Sequence, residues 1–182
     1  MIDIKFEEKE NSFEQKFKGN ILDVKKYTVT LPNNKTAFRE VVEHPGAVAV
    51  FPIDFENNIY LVNQYRFPIR NNLIEIPAGK FDFINEDPLE CGVRELKEET
   101  GITAKNWIKL GIIHTTPGFS NEILHLFLAK DLTFGHSNTD EDEFLEIYKI
   151  NLIDFEEKII KGEITDSKTI CAYSIAKLQK LI

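Results

Sequence analysis

The sequence contains little that would crosslink the chain, anchor it in a membrane or attach it to a nucleic acid. Its 182 residues include only two cysteines, Cys91 and Cys171, without zinc-site spacing, so neither a disulfide framework nor structural zinc is expected. No stretch approaches the ~20 apolar residues of a membrane span, and the start lacks the continuous apolar segment of a secretory signal. The 30 acidic residues outnumber the 22 basic ones, and the net charge of −8 argues against binding to nucleic-acid phosphates. We therefore expect a soluble, cytoplasmic protein that binds neither nucleic acid nor membrane.

The chain does contain enough apolar residues for a folded core. Hydrophobic residues make up 42% of it, and 14 of its residues are Phe. Apolar and β-branched stretches between Pro, Gly and Asn predict an N-terminal β-hairpin at 21–31 and 37–42, and strands at 47–51, 59–62, 73–76, 107–113, 123–129 and 144–150. Helical spacing predicts helices at 87–100, 153–161 and 167–181, and residues 131–143 have the composition of a long surface loop. Strands around one central helix, with helices at the end, predict an α+β fold arranged as an α/β/α sandwich.

The central helix has clear signals at both ends. Asp87 is a predicted N-cap, and Pro88 occupies the first helical position, where a missing N–H costs nothing. Apolar residues then recur at helical spacing, and Gly101 is placed to end the helix in a left-handed conformation. The sequence therefore predicts a helix over 87–100.

The end of this helix carries more negative charge than helix physics favours. Glu95 and Glu99 repel each other at a spacing that costs about 0.2–0.5 kcal/mol, and the last turn disfavours Glu98 and Glu99 by about 0.3–1 kcal/mol. One interpretation is a solvated acidic face, with basic neighbours that offset part of the repulsion. The other is a site for a hard divalent cation, completed by a backbone carbonyl from the glycine turn before the helix.

The residues around this helix resemble the Nudix box, G-x5-E-x7-R-E-U-x-E-E-x-G-U, in which U is aliphatic. Glu86 and the run 94–102 match every fixed position from the first glutamate onward, whereas six residues rather than five separate Gly79 from Glu86. The resemblance implies a Nudix fold, with a mixed sheet and a central catalytic helix. It also implies hydrolysis of a nucleoside diphosphate linked to another group, and it favours the metal-site interpretation of the glutamates.

Further segments resemble the ADP-ribose pyrophosphatase subfamily. The run 75–79 is similar to its E-x-P-A-G entry to the box, and Pro117 lies fifteen residues beyond Ile102, as the marker proline of the subfamily does. Residues 117–122, 44–48 and 64–68 are similar to its P-G-F-S-x-E, H-P-G-A-V and Q-Y-R-x-P segments. The resemblance implies hydrolysis of ADP-ribose to AMP and ribose 5-phosphate.

Carried over to this chain, the resemblance implies a metal site on the central helix. Glu95 and Glu99 are expected as ligands, and the Ala78 carbonyl completes the site. Glu98 is either a third ligand or a neighbour that orients the others. Mg²⁺ is the expected metal, with Mn²⁺ as the alternative.

The resemblance also implies a glutamate that activates or orients water, from a loop before a late strand. The acidic run 140–143 occupies that place. Glu143 is favoured over Glu141 because it directly precedes the predicted strand. Glu98 is a further candidate for a catalytic role.

Three other residues are candidate substrate contacts, each with a plainer alternative. Arg66 offers a guanidinium fork to phosphate or to the terminal ribose, or is an ordinary surface arginine. Glu122 assists the metals or binds ribose, or faces solvent at the start of a strand. Phe119 lines the pocket or packs in the core.

The division of the chain suggests a role in association for its first part. Residues 1–44 are a predicted β segment for dimerisation, and residues 45–182 are the predicted Nudix hydrolase domain. An unpaired strand edge invites pairing with another chain. The resemblance implies a homodimer whose N-terminal segments exchange, whereas a hairpin that folds back on its own domain is the alternative.

Two further functions stay open. The chain is alternatively a Nudix hydrolase of other nucleotide sugars or of dinucleoside polyphosphates, whose basic contacts would differ. A non-catalytic, ADP-ribose-binding regulator is less strongly indicated. Such proteins often lose box carboxylates, whereas this chain keeps Glu95, Glu98 and Glu99.

Overall fold

The computed structural model describes residues 5–83, 85–138 and 144–182. The strands in chain order are β1 (Lys9–Lys18), β2 (Asp23–Thr30), β3 (Thr36–Glu43), β4 (Ala47–Pro52), β5 (Asn58–Arg66), β6 (Asn71–Glu75), β7 (Ala78–Lys80), β8 (Ile102–His114), β9 (Ile123–Phe134) and β10 (Leu145–Asn151). The helices are α1 (Pro88–Thr100), α2 (Leu152–Ile160) and α3 (Ser167–Leu178). In the part of the chain that is described, no helix has the length and apolarity needed to cross a membrane.

The chain divides into two compact units. One contains the described residues up to Pro45 together with His114–Ile123, and the other contains Gly46–Ile113 and Leu124–Ile182. The predicted separation of residues 1–44 as a dimerisation segment stays a prediction.

The N-terminal unit contains the predicted hairpin as part of a three-stranded sheet. β2 pairs antiparallel with β3, as the sequence predicts, and β1 adds a strand along the other edge of β2. β1 is exposed along its whole length, and its charged sequence lacks the apolar alternation that would have indicated a strand. It is held by ladder pairing and by cross-strand contacts, such as that between the rings of Phe13 and Tyr27, 5.7 Å apart.

The second unit is built on two sheets, in which the strand orders are β10-β5-β6 and β7-β4-β9-β8. β4 runs parallel to β9 and antiparallel to β7, so the larger sheet is mixed. All residues of β4 are buried, as its continuous apolar sequence predicts. The predicted mixed sheet is confirmed.

Helices cover both faces of the strand β4. Successive side chains of a strand point to opposite faces of its sheet. Phe51 belongs to a buried cluster that includes Phe155 of α2 and Ala172 of α3. Its neighbour Val50 belongs to a second buried cluster that includes Leu96 of α1. The predicted α/β/α arrangement of an α+β fold is therefore confirmed.

Helix α1 begins and ends where the sequence predicts. The Asp87 carboxylate accepts hydrogen bonds from the Leu89 and Glu90 amides at 2.9 and 3.1 Å. Gly101 ends the helix with φ at 70°, and its N–H donates to the Lys97 carbonyl at 2.8 Å. These caps satisfy backbone groups that a helix leaves unpaired at its ends.

Some predicted boundaries were wrong, most clearly that of the loop 131–143. β9 continues to Phe134, so residues 131–134 belong to a strand and not to the predicted loop. The Phe134 ring packs against Tyr60 at 5.0 Å between ring centroids, a long-range contact that extends the strand. Other ends were misplaced as well, because β5 continues to Arg66, β8 already starts at Ile102 and α3 ends at Leu178.

Candidate active site

The last turn of α1 brings a buried glutamate against the edge of the larger sheet. Glu99 is only 2% exposed, and its Oε2 accepts a hydrogen bond from the Ala78 N–H at 3.2 Å. An ionised carboxylate is costly to bury without hydrogen bonds or a positive partner. The hydrogen bond from Ala78 offsets part of this cost. It connects Glu99 and Ala78, two of the candidate residues from the sequence analysis.

The polar backbone groups of Ala78 face away from the neighbouring strand. Ala49 pairs with Ala78, and the Val50 N–H donates to the Pro77 carbonyl at 2.9 Å. Hydrogen-bonded and non-hydrogen-bonded positions alternate in an antiparallel pair, so Ala78 is a non-hydrogen-bonded position. Its N–H reaches Glu99 instead, and β7 is the edge strand of its sheet. The Ala78 carbonyl consequently points outward at the same edge.

Glu95 lies directly over the next residue of β7. A Cβ atom on Gly79 would stand 1.9 Å from Glu95 Cδ and 2.0 and 2.3 Å from its carboxylate oxygens. No side chain fits at Gly79 while Glu95 keeps this position. The first glycine of the box thus makes room for a box carboxylate.

Arg94 holds several carboxylates together on the exposed side of α1. Its guanidinium lies 2.7 Å from Glu95 Oε1, 3.1 Å from Glu98 Oε2 and 3.4 Å from Glu86 Oε1. Burial opposes the charge of Arg94, but the charge and hydrogen bond of Glu95, together with Glu98, outweigh it and raise the pKa of the guanidinium. Glu86 is buried and also accepts a hydrogen bond from the Asp82 amide at 2.8 Å. Arg94 thus contacts Glu86 as well as two carboxylates of its own helix.

A second charged cluster surrounds Glu75, at the end of β6. Its carboxylate is 1% exposed and receives both Arg66 Nε and Nη2, at 2.7 and 2.8 Å. Lys168 of α3 also donates to Glu75 and lies 3.1 Å from Asp166. The hydrogen bond and charge of Glu75 raise the pKa of Arg66. Arg66 is therefore not an isolated surface arginine.

Comparison with known proteins identifies the family. The sequence model of the NUDIX domain matches residues 43–172. The chain belongs to the NUDIX family. The predicted family is thereby confirmed.

Two full-length relatives and one solved structure are similar to this NUDIX chain. The ADP-ribose pyrophosphatase of Bacillus subtilis is 43% identical and aligns with 95% of this chain and 93% of its own. A methanol dehydrogenase activator of Bacillus methanolicus is 42% identical, over 97% of this chain and 96% of its own. The crystal structure of an ADP compounds hydrolase superposes with a TM-score of 0.83, covers 94% of this chain and 93% of its own, and is 19% identical. This last likeness supports the fold alone.

NUDIX hydrolases generally need a divalent metal, and the donor types in this chain fit one. The carboxylates of Glu95, Glu98 and Glu99 and the outward Ala78 carbonyl offer oxygen atoms, the type of donor that hard cations prefer. Within the described residues, no three His, Cys, Asp or Glu side chains already form a group that could hold a metal. Glu95 and Glu98 instead share the positive charge of Arg94. Glu95 and Glu98 are thus paired with the Arg94 guanidinium.

The remaining predicted site residues are Phe119, Glu122, Glu141 and Glu143. Phe119 and Glu122 belong to the N-terminal unit. The Phe119 side chain is 56% exposed, which contradicts its packing in the core. Glu122 accepts a hydrogen bond from Thr115 and lies 3.4 Å from His44 Nε2, so it does not simply face solvent. The predicted catalytic residues Glu141 and Glu143 lie outside the described residues, and their roles stay predictions.

The sequence reasoning missed the cluster on α3. Asp166 could have been recognised as the N-cap of a helix, because it directly precedes Ser167. Nothing in the local pattern indicates that Lys168 meets Glu75, which is 93 residues away in the chain. Such a pair is determined by the path of the chain and not by spacing.

Proposed function

We propose that this NUDIX protein is a metal-dependent hydrolase that converts ADP-ribose and water to AMP and ribose 5-phosphate. The convergence of Glu95 and Glu99 on the Ala78–Gly79 edge supports the proposal, because carboxylate oxygens of α1 lie beside the backbone of β7. The substrate is supported by the 43% identity to an ADP-ribose pyrophosphatase along nearly the whole chain.

We propose Glu95, Glu99 and the Ala78 carbonyl as the residues that hold the metal. Glu98 is a third ligand or orients its neighbours, and its side chain is 42% exposed. When bound, a divalent cation supplies charge neutralisation for the diphosphate and lowers the pKa of a coordinated water. We propose Mg²⁺ as this cation, with Mn²⁺ as the alternative.

We propose that a carboxylate of this chain removes the proton of the attacking water. Glu143 is the first candidate for this general base, and Glu141 and Glu98 are the others. Water attacks one phosphorus, the bond from that phosphorus to the bridging oxygen breaks, and the leaving phosphate accepts the proton. The two products are AMP and ribose 5-phosphate.

The substrate contacts follow from the same proposal. Arg66 is held against Glu75 through Nε and Nη2, which fixes its guanidinium plane for contact with a phosphate or ribose oxygen. Phe119 offers an exposed ring, and Glu122 an acceptor for ribose hydroxyls. We further propose a cytoplasmic homodimer in which the N-terminal sheet, with its exposed β1, takes part in association.

The proposal is tested by incubating the full chain with ADP-ribose and Mg²⁺ and identifying the products. We expect AMP and ribose 5-phosphate, and Glu99→Gln should lower kcat at least a hundredfold, about 2.7 kcal/mol, because a metal ligand loses its charge. Gln keeps an acceptor for the Ala78 N–H, so the variant should remain folded. Glu90→Gln makes the same change in the first turn of α1 and should retain activity.

The same assay distinguishes ADP-ribose from the alternative substrates. GDP-sugars and dinucleoside polyphosphates are offered beside ADP-ribose at equal concentration. A kcat/KM for one of these that exceeds the value for ADP-ribose would reassign the substrate within the hydrolase class. A folded chain that binds ADP-ribose without turnover, and equally after Glu99→Gln, would identify a regulator.

A second candidate function is activation of a dehydrogenase. It is supported by the 42% identity to a methanol dehydrogenase activator over 97% of this chain. The rate of methanol oxidation by a methanol dehydrogenase, measured with and without this protein, tests it. Activation that is lost with Glu99→Gln would link both functions to one site, whereas activation that survives would separate them.

A further inference from the structure

The connection from β6 to β7 is held by the distant helix α3. Ile76 lies in this connection, is fully buried, and has an N–H that must find a partner away from water. That partner is the hydroxyl of Thr169, which accepts the hydrogen bond at 2.8 Å. Thr169 is itself fully buried, so water does not compete for the bond.

The Thr169 hydroxyl is oriented by the N-cap of α3. It donates to Asp166 Oδ2 at 2.6 Å, and the Thr169 N–H donates to the same oxygen at 2.9 Å. Because the hydroxyl proton is committed to the carboxylate, an oxygen lone pair remains for the Ile76 N–H. Hydrogen bonds in such a chain polarise and strengthen one another.

The residues on either side of Ile76 are fixed as well. Glu75 is held by Lys168, which also lies 3.1 Å from Asp166. On the other side, the Pro77 carbonyl accepts from Val50 at 2.9 Å. The next carbonyl along the chain belongs to Ala78. Through its hydrogen bond to the Ile76 amide, α3 can therefore fix the backbone conformation of the residues that lead to the Ala78 carbonyl.

We propose that Thr169, oriented by Asp166, is a positioning residue that sets the direction of the Ala78 carbonyl for metal binding. The inference rests on the proposed function, since it assumes that this carbonyl is a ligand. Thr169 is fully buried, and we do not propose it as a ligand of the metal or as a substrate contact. It acts through one backbone hydrogen bond, two residues before the ligand.

The test is calorimetric titration of the full chain with Mn²⁺ and with Mg²⁺, without substrate. Thr169→Val keeps the shape of the side chain and removes the acceptor of the Ile76 N–H. We expect its metal Kd to rise roughly tenfold, the lower end of the effect of losing an outer partner of a metal ligand. Thr169→Ser keeps the hydroxyl and should bind metal like the natural protein.

A matched control separates positioning from general loosening of α3. Ala172 is fully buried on the same helix but outside the hydrogen-bond chain, so Ala172→Gly should lower Tm and leave the metal Kd unchanged. If Thr169→Val does not fold, Asp166→Asn replaces it. Asn keeps an N-cap acceptor but weakens the hold on the hydroxyl, and we expect a metal Kd about threefold higher, an order-of-magnitude expectation.

The outcomes distinguish the two proposals. If the natural protein binds neither metal, the proposed metal site fails and this inference fails with it. If the natural protein binds metal and Thr169→Val binds it equally well, only the positioning role is overturned. Equal weakening in Ala172→Gly and Thr169→Val would also overturn that role.

Discussion

Replacing Gly79 by alanine should disable the site while leaving the protein folded. The new Cβ would lie 1.9 Å from Glu95 Cδ, and the φ angle of Gly79 is not in the left-handed region, so the backbone accepts alanine. The conflict is therefore with the far end of a flexible side chain. Glu95 can withdraw by rotation, but it then leaves its place over β7.

The size of the effect follows from this displacement. An ordinary contact begins at 3.4 Å, so the carboxyl carbon must withdraw by about 1.5 Å. A misplacement of about 1 Å in an active site can cost a hundredfold in rate, which is about 2.7 kcal/mol. In stability, Gly→Ala at a permissive position contributes about 0.4–1 kcal/mol through the unfolded chain, which offsets weaker pairing of Glu95 with Arg94. We expect kcat/KM to fall about a hundredfold and Tm to change by no more than a few degrees.

The assay is ADP-ribose hydrolysis with Mg²⁺, read beside thermal unfolding. The cause is isolated by a double-mutant cycle with Glu95→Ala, because removing the carboxylate removes the clash. On that background, Gly79→Ala should cost little further activity. The reasoning is refuted if Gly79→Ala retains the natural kcat/KM, or if it costs a hundredfold equally with and without Glu95.

Two other changes test the surroundings of α1. Gly101→Ala should lower the free energy of unfolding, measured in urea, by more than about 2 kcal/mol. The φ angle of Gly101 is 70°, and the new Cβ would lie 2.6 to 2.7 Å from backbone atoms of residues 135–137, which cannot rotate away. An unchanged urea midpoint would contradict this prediction. Burial raises the pKa of the Cys91 thiol to about 12, from 9.0, so Cys91 should resist iodoacetamide at pH 8 in the folded protein and react once it is unfolded. The pKa of Cys91 is higher in the folded protein than in the unfolded chain, so its contribution to stability is complete below pH 9 and is lost as the pH rises from 9 to about 12. Thermal unfolding across that pH range would detect this loss. Rapid alkylation of folded Cys91, located by mass spectrometry, would show that the thiol is accessible as thiolate.

The sequence was sufficient for features that depend on neighbours along the chain. Helix α1 is specified by Asp87, Pro88 and Gly101, each of which acts within four residues of itself. The strand β4 follows from a continuous apolar run. β1 escaped prediction, because ladder pairing with β2 rather than its own pattern makes it a strand.

The sequence by itself determined the family, the central helix and the acids on its last turn, since these follow from spacing along a few consecutive turns. Only the tertiary structure decided that Glu95 covers Gly79, that Arg66 is committed to Glu75, and that Thr169 holds Ile76. Helix spacing brings carboxylates to one side of a helix but does not determine which distant cation or amide they meet. Those partners are set by how β7 and α3 pack against the same sheet, which depends on the whole path of the chain.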